Sequence, residues 1–267
     1  MNHPIIFFLN SKIFISLSVF CLALSTQFII GVYNLNLLLL IFFGTFLSYN
    51  YQRIMFHLKL KKKLSSSWFV RNNKLIFLIV VAATIFLFCF FKLKNITKLM
   101  VILVSSVSLF YPILRKIPLL KIFLISFSWA FSTVALIYFE NSLDFNQSYY
   151  VSIISRTCFI LAITIPFDIR DIKHDRFKLN TIPLVFGVEI AQKIALTFLA
   201  LFLGSEGFLN LQNVAFNFII STSLCFLYSF FIVKNLNKNA SGYYYSFWLE
   251  SCSISLLVFL IITSILL

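Results

Sequence analysis

The stretch from Leu75 to Phe91, LIFLIVVAATIFLFCFF, contains no charged residue, no glycine and no proline. A continuous apolar helix of roughly 20 residues is what the hydrocarbon core of a bilayer requires. Eight further runs of comparable length lie before and after it, near residues 13–33, 35–56, 98–114, 119–139, 149–167, 188–204, 213–233 and 244–267. The sequence therefore predicts an all-α fold, a polytopic membrane helical bundle of about nine transmembrane helices.

Composition supports the same class of protein. Of the 267 residues 61% are hydrophobic and only 11% are charged, and the mean hydropathy is +0.98. A soluble domain has about a quarter of its residues charged, because water must solvate its surface. No stretch resembles a separate soluble domain or a low-complexity linker, so we expect residues 1–267 to form a single transmembrane domain.

The net charge of +14 is carried by short Lys and Arg clusters between the apolar runs. Basic connections of this kind face the cytoplasm next to anionic lipid, so no nucleic-acid partner is expected. The basic connections follow the second, fourth, sixth and eighth runs, and those after the fifth and seventh runs carry only the acids Glu140, Asp144 and Glu206. One connection departs from this alternation, since Lys92, Lys94 and Lys98 follow the third run.

This charge pattern predicts the orientation of the chain. The N-terminus is expected in the cytoplasm and the C-terminus outside, since the number of spans is odd. The predicted location is the cytoplasmic (inner) membrane of a bacterium.

Three of the eight acidic residues lie close together at the end of the sixth run, namely Asp168, Asp171 and Asp175. On a continuous helix the spacing i, i+3, i+7 places them along one face. Such an edge suits Mg²⁺, which prefers oxygen ligands and often shares them with substrate phosphates. The alternative is a solvated turn in which these acids pair with Arg170, Lys173, His174 and Arg176.

The segment from Asp168 to Gly187 resembles the second aspartate-rich motif of the UbiA-type intramembrane prenyltransferases. It has the acids, then a basic residue, Lys178, then Thr181-Ile-Pro183 and a closing glycine. The layout is also similar, because that family has nine helices with acidic motifs after helices two and six. The resemblance implies that Asp168, Asp171 and Asp175 bind Mg²⁺ and that Lys178 binds a diphosphate.

A second segment, Tyr111-Pro-Ile-Leu-Arg115-Lys116, resembles the family's Tyr-x-x-x-Lys/Arg element. The resemblance implies that Arg115 and Lys116 contact the substrate diphosphate, for which Arg offers bidentate and Lys point-charge contacts. The alternative is an ordinary basic connection on the cytoplasmic side.

The first motif of the family, an Asn followed by two Asp at intervals of four, is incomplete here. Asn50 is present as its remnant, but Ile54 and Leu58 stand where the two acids are expected. The sequence contains no Asp or Glu between Met1 and Phe139. Arg53 could supply positive charge to a diphosphate in place of a lost metal ion.

Two functions follow, and no catalytic residue is assigned for either. The first is an Mg²⁺-dependent prenyltransferase that moves a polyprenyl group from its diphosphate to a lipophilic acceptor in the membrane. The second is a non-catalytic relative that binds an isoprenoid or quinone-like lipid.

Overall fold

The computed structural model describes residues 3–59, 73–115, 117, 119–175, 180–212, 216–236 and 242–266. Eleven helices and no strand form this part of the chain. They are α1 His3–Asn10, α2 Ile13–Ile30, α3 Leu35–Lys59, α4 Asn73–Lys92, α5 Asn95–Leu114, α6 Leu120–Asn141, α7 Gln147–Asp175, α8 Ile182–Phe186, α9 Val188–Gln212, α10 Phe216–Lys234 and α11 Tyr244–Leu266.

The predicted bundle is confirmed. Within the described residues nine helices are at least 17 residues long, and eight of them are also apolar enough to cross a membrane. The ninth, α3, has 25 residues, but its second half carries the polar run from Ser48 to Arg53. Two spans contain a π-helical turn, at Phe131–Ala135 in α6 and at Tyr244–Leu249 in α11, a feature that is common at functional sites.

The turn between α2 and α3 shows why the chain reverses at that point. Gly31 ends α2 in the left-handed region with φ 76°, a conformation that glycine adopts without steric cost. The Gln27 side chain then accepts a hydrogen bond from the backbone N–H of Asn34, whose own side chain accepts one from Leu37 N–H. These bonds satisfy backbone groups that the two helix ends leave open.

Contacts between connections agree with alternating spans. At one end of the bundle, the backbone N–H of Leu119 donates to the carbonyl of Asn180 at 3.2 Å, which joins the α5–α6 connection to the segment before α8. At the other end, the backbone N–H of Lys94 donates to the Glu140 carboxylate at 3.1 Å. The one basic connection on the acidic side therefore lies against an acid that offsets its charge.

The helices form a closed ring in which most chain neighbours are also spatial neighbours. Contacts run from α2 to α3, α3 to α5, α5 to α6, α6 to α7, α7 to α9, and on through α10 and α11 back to α2. Helix α4 lies against α3, and α7 packs most extensively, against α6 and α9. Phe159, Ala162 and Ile165, in the middle of α7, are fully buried, so this part of the helix lies in the core.

Candidate functional site

The acidic end of α7 contains a buried ion pair. Lys121 Nζ, at the start of α6, lies 2.6 Å from the Oδ1 atom of Asp168. Asp168 is 1% exposed and Lys121 8% exposed. Two opposite charges removed from water stabilise each other at close range, but each becomes costly when its partner is lost. The Asp168 carboxylate is therefore held by a cation of the protein itself.

A small cavity lies beside this pair. Its volume of about 10 Å³ is close to that of a single water site, and Arg115 and Thr181 line it together with Asp168 and Lys121. The Thr181 hydroxyl oxygen is buried and has no hydrogen-bond partner among the residues described. The Tyr111–Arg115 element and the second acidic segment, which are distant in sequence, thus meet here.

The second acid, Asp171, pairs with its neighbour. Arg170 donates from Nε to one carboxylate oxygen at 2.7 Å and from Nη2 to the other at 3.1 Å. The guanidinium also lies over the ring of Phe167 at 5.1 Å and over that of Tyr245 at 5.5 Å. Both charged side chains are partly exposed, so the pair contributes little stability. For Asp171 the structure matches the self-paired alternative.

The other residues suggested by the resemblance are placed only in part. The backbone of α7 continues as a helix to Asp175, and a common face for the three acids stays a prediction from their spacing. The side chain of Asp175 and the whole of Lys116 and Lys178 lie outside the described residues.

Asn50 and Arg53, from the incomplete first motif, both contact the N-terminal turn. The buried Asn50 amide donates to the carbonyls of Ser11 at 3.1 Å and Phe46 at 2.9 Å. Arg53 Nη1 donates to the carbonyl of Asn10 at 2.6 Å. The side-chain oxygen of Asn50 is buried without a hydrogen-bond partner in the described part of the chain. Both side chains therefore bind carbonyl groups of the protein's own backbone.

A cavity of about 440 Å³ lies between α3, α5 and α6, with one lining residue from α2 and two from α4. None of the described residues that line it carries a charge. Its polar groups are mainly hydroxyls and amides, contributed by Thr45, Ser48, Tyr49, Asn50, Tyr51, Gln52, Ser105, Ser108, Tyr111, Ser128, Trp129 and Ser132. Trp129 Nε1 donates to the Tyr49 hydroxyl at 3.2 Å, and Ser48 bonds to Ser108. Cavities of this size and lining suit a largely apolar ligand with a small polar part.

The large cavity leads towards the ion pair. Tyr111 lines the cavity, and Arg115, one turn later, lines the small cavity beside Asp168. The Arg115 guanidinium lies 5.8 Å from the Tyr111 ring and 6.0 Å from the ring of Phe56 on α3. The basic groups Arg53, Arg115 and Lys121 thus lie at the end of the cavity that the charge pattern assigns to the cytoplasm.

A second buried charged group lies in the other half of the bundle. Arg156 of α7 donates to the carbonyl of Leu22 at 3.3 Å and to the hydroxyl of Thr26 at 3.0 Å. Its neighbour Ser155 donates to the Glu206 carboxylate of α9 at 2.5 Å. These bonds connect α2, α7 and α9 and satisfy a charge that would be costly in lipid.

Sequence reasoning missed Lys121, because it was one base among several in a basic connection. The available signal was its position between Leu120 and Ile122 at the start of an apolar run, where a helix buries its side chains.

The donor atoms can be compared with what Mg²⁺ needs. The described residues contain no group of three His, Cys, Asp or Glu side chains placed to hold a metal. Asp168 and Asp171 are engaged by different cations, and no acid precedes Phe139 in the sequence. The described donors therefore do not form the two carboxylate clusters that a two-ion site uses.

The fold is the one found in solved structures of UbiA homologs. An apo structure of a UbiA homolog from Aeropyrum pernix K1 aligns with 97% of this chain and 98% of its own, with a TM-score of 0.66 and 14% identity. A UbiA homolog from Archaeoglobus fulgidus bound to DMAPP and Mg²⁺ gives a TM-score of 0.62 at 16% identity, over 98% of this chain and 99% of its own. A structure described as digeranylgeranylglyceryl phosphate synthase gives 0.63 at 12% identity, over 97% and 96%.

No protein-family model and no curated protein sequence matches the chain. At 12–16% identity, the similarity to these solved structures establishes the fold alone and not the activity.

Proposed function

We propose that the protein binds a prenyl diphosphate or a similar anionic prenyl lipid within the membrane. The prenyl chain would occupy the cavity between α3, α5 and α6, and the anionic head would lie at its cytoplasmic end. The observation that carries this proposal is an uncharged cavity of about 440 Å³ that leads to Arg115 and Lys121.

The chemistry of the two regions supports this division. A prenyl chain has no hydrogen-bonding groups, and burial of its carbons contributes about 25 cal/mol per Å² of apolar surface. A diphosphate is recognised by guanidinium and ammonium groups, which Arg53, Arg115 and Lys121 provide. By the family resemblance Lys116 and Lys178 would add to this set.

Prenyl transfer is the second candidate function. In its favour are the retained acids on α7 and the fold shared with a homolog that binds DMAPP and Mg²⁺. Bound Mg²⁺ would neutralise the charge that develops on a departing diphosphate. Asp168, Asp171 and Asp175 would hold it, and a lipophilic acceptor would receive the prenyl group. This candidate requires Asp168 and Asp171 to exchange Lys121 and Arg170 for the metal.

The lipid-binding function ranks first because of these two cations and the incomplete first motif. The proposed location is the cytoplasmic membrane of a bacterium, with the N-terminus inside.

The two functions differ in their dependence on Mg²⁺. Purified protein in nanodiscs would be titrated with labelled prenyl diphosphates of several chain lengths, in Mg²⁺ or in EDTA, and assayed for released diphosphate with a membrane lipid extract. We expect binding of similar affinity in both conditions and no release. Release that needs Mg²⁺ and is lost in Asp171→Ala would instead establish transfer. Absence of binding in both conditions would contradict both functions.

A further inference from the structure

The serines of α5 and α6 that do not line the large cavity use their hydroxyls within their own helix. A serine inside a helix and away from water can satisfy its hydroxyl by donating to the carbonyl one turn before it. Ser106 of α5 donates in this way to the carbonyl of Leu103 at 2.7 Å, and Ser126 of α6 to that of Ile122 at 2.8 Å. These two hydroxyls need no further partner.

Three serines that line the cavity behave differently. They are Ser105 of α5 and Ser128 and Ser132 of α6. Within the described parts of the chain none of these three hydroxyls makes a hydrogen bond, although Ser105 directly precedes Ser106 in the same helix. The serine hydroxyls on the cavity side are therefore available to a bound molecule.

Tyr49 of α3 supplies a fourth hydroxyl to the cavity. Its oxygen accepts a hydrogen bond from Trp129 Nε1 at 3.2 Å, which holds the phenol in place. Its own hydrogen has no acceptor among the described residues. Trp129 follows Ser128 directly in α6 and precedes Ser132 by three positions, so the Tyr49 hydroxyl lies at the level of these two serines.

This part of the cavity is separate from the basic end. Trp129 lies eight positions after Lys121 in α6, which corresponds to about 12 Å along a helix. Ser132 also lies in the π-helical turn Phe131–Ala135, and turns of this kind occur frequently at functional sites. The four hydroxyls thus define a second polar region, deeper in the membrane than the ammonium group of Lys121.

The chemistry of the four hydroxyls limits what can bind to them. None of the described residues that line the cavity carries a charge, whereas an anion is recognised by guanidinium or ammonium groups. A purely hydrocarbon ligand would leave the O–H groups without partners away from water, which is unfavourable. A carbonyl oxygen is neutral and accepts hydrogen bonds from O–H donors, so a carbonyl group on an apolar molecule fits both conditions.

We propose that the cavity is also a binding site for a neutral lipid that carries a carbonyl group. The carbonyl oxygen accepts hydrogen bonds from Tyr49 and from Ser132, and the apolar body of the lipid lies along the walls of the cavity. The inference goes beyond the proposed function, because it assigns a second and uncharged ligand to this cavity. The neutral lipid uses the same walls as a prenyl chain, so the two ligands compete.

The test uses the purified protein in a detergent that contains no carbonyl group. Wild type, Tyr49→Phe and Ser132→Ala are titrated with a prenylated benzoquinone and with the same molecule without its two ring oxygens. Loss of one neutral hydrogen bond predicts about fivefold weaker quinone binding in each variant, and unchanged binding of the oxygen-free molecule. The matched controls are Ser106→Ala and Tyr33→Phe, since Tyr33 is 71% exposed, and both should bind as the wild type does.

A long-chain acyl ester serves as a third probe, because a lipid carbonyl can belong to a ring ketone or to an ester. Tighter binding of the quinone or of the ester, with the same dependence on Tyr49, identifies which of the two carbonyl types is recognised. Equal affinity of the wild type for all three probes overturns the inference. Equal loss of the quinone and the oxygen-free molecule in Tyr49→Phe overturns it as well, since the hydroxyl then supports only the fold.

Prenyl diphosphate, titrated in parallel, separates this inference from the proposed function. Binding of prenyl diphosphate without any preference for a carbonyl lipid means that the inference fails and the proposed function stands. Binding of a carbonyl lipid that depends on Tyr49, without binding of prenyl diphosphate, means that the proposed function fails and the inference stands.

Discussion

Lys121 and Asp168, 47 positions apart in the sequence, form a buried ion pair with 2.6 Å between Nζ and Oδ1. Their contact joins the start of α6 to the end of α7, beside the small cavity that Arg115 and Thr181 also line. An ammonium group that contacts this carboxylate competes directly with any metal for the same oxygen. Asp168, which the sequence resemblance suggests as a metal ligand, is therefore already paired with a cation of the protein.

Removal of one member of the Lys121–Asp168 pair should destabilise the protein far more than removal of both. In Lys121→Met the Asp168 carboxylate stays buried without its cation, so we expect a loss of about 3 kcal/mol in the free energy of unfolding. The double variant Lys121→Met/Asp168→Leu should recover most of that loss. Thermal unfolding of the purified protein in detergent would measure both, with Lys193→Met as the exposed control. Equal midpoints for the single variant and the control would show that the pair carries no stability.

The contacts of Arg156 with α2 lead to a second prediction. Arg156→Leu leaves the Thr26 hydroxyl and the nearby Glu206 carboxylate in lipid-like surroundings without the guanidinium. We expect a loss of about 2 kcal/mol or more in the free energy of unfolding, since polar and charged groups need partners in a membrane. Arg156→Lys keeps the positive charge and should lose less of the free energy of unfolding than Arg156→Leu. Thermal midpoints in detergent would test this order, and a fully stable Arg156→Leu would contradict it.

Much of the fold could be predicted from the sequence, for a physical reason. A bilayer imposes one length and one polarity on every span, so apolar runs such as 75–91 locate helices directly. The main difference between the predicted and the observed helices concerns α7. It continues to Asp175, well past the predicted run of 149–167. Its last turns are polar because they emerge from the apolar layer, so hydropathy alone ends the span too early.

The site was less predictable, because its contacts join residues far apart in the chain. The helical spacing of Asp168 and Asp171 was visible locally, but their partners were not. Whether Asp168 binds Lys121 or a metal depends on how α6 packs against α7. The same holds for Asn50 and Arg53, whose partners at Asn10 and Ser11 come from a helix that hydropathy does not single out.

The orientation of the chain remains a prediction and is open to a direct test. The basic connections place the N-terminus in the cytoplasm, and an odd number of spans places the C-terminus outside. Reporter fusions at Asn2 and Leu267, one active only inside the cell and one only outside, should therefore report opposite sides. Two fusions on the same side would contradict the nine-span arrangement.

The cavity between α3, α5 and α6 can be filled with one substitution on α5. Ser105 lines the cavity, whereas its neighbour Ser106 does not and bonds to the carbonyl of Leu103. Ser105→Phe should reduce prenyl alcohol and prenyl diphosphate affinity about tenfold, because the ring occupies the volume of the chain. Ser106→Phe is the matched control and should bind as the wild type does. Equal affinities for the two variants would mean that the prenyl chain does not bind in this cavity.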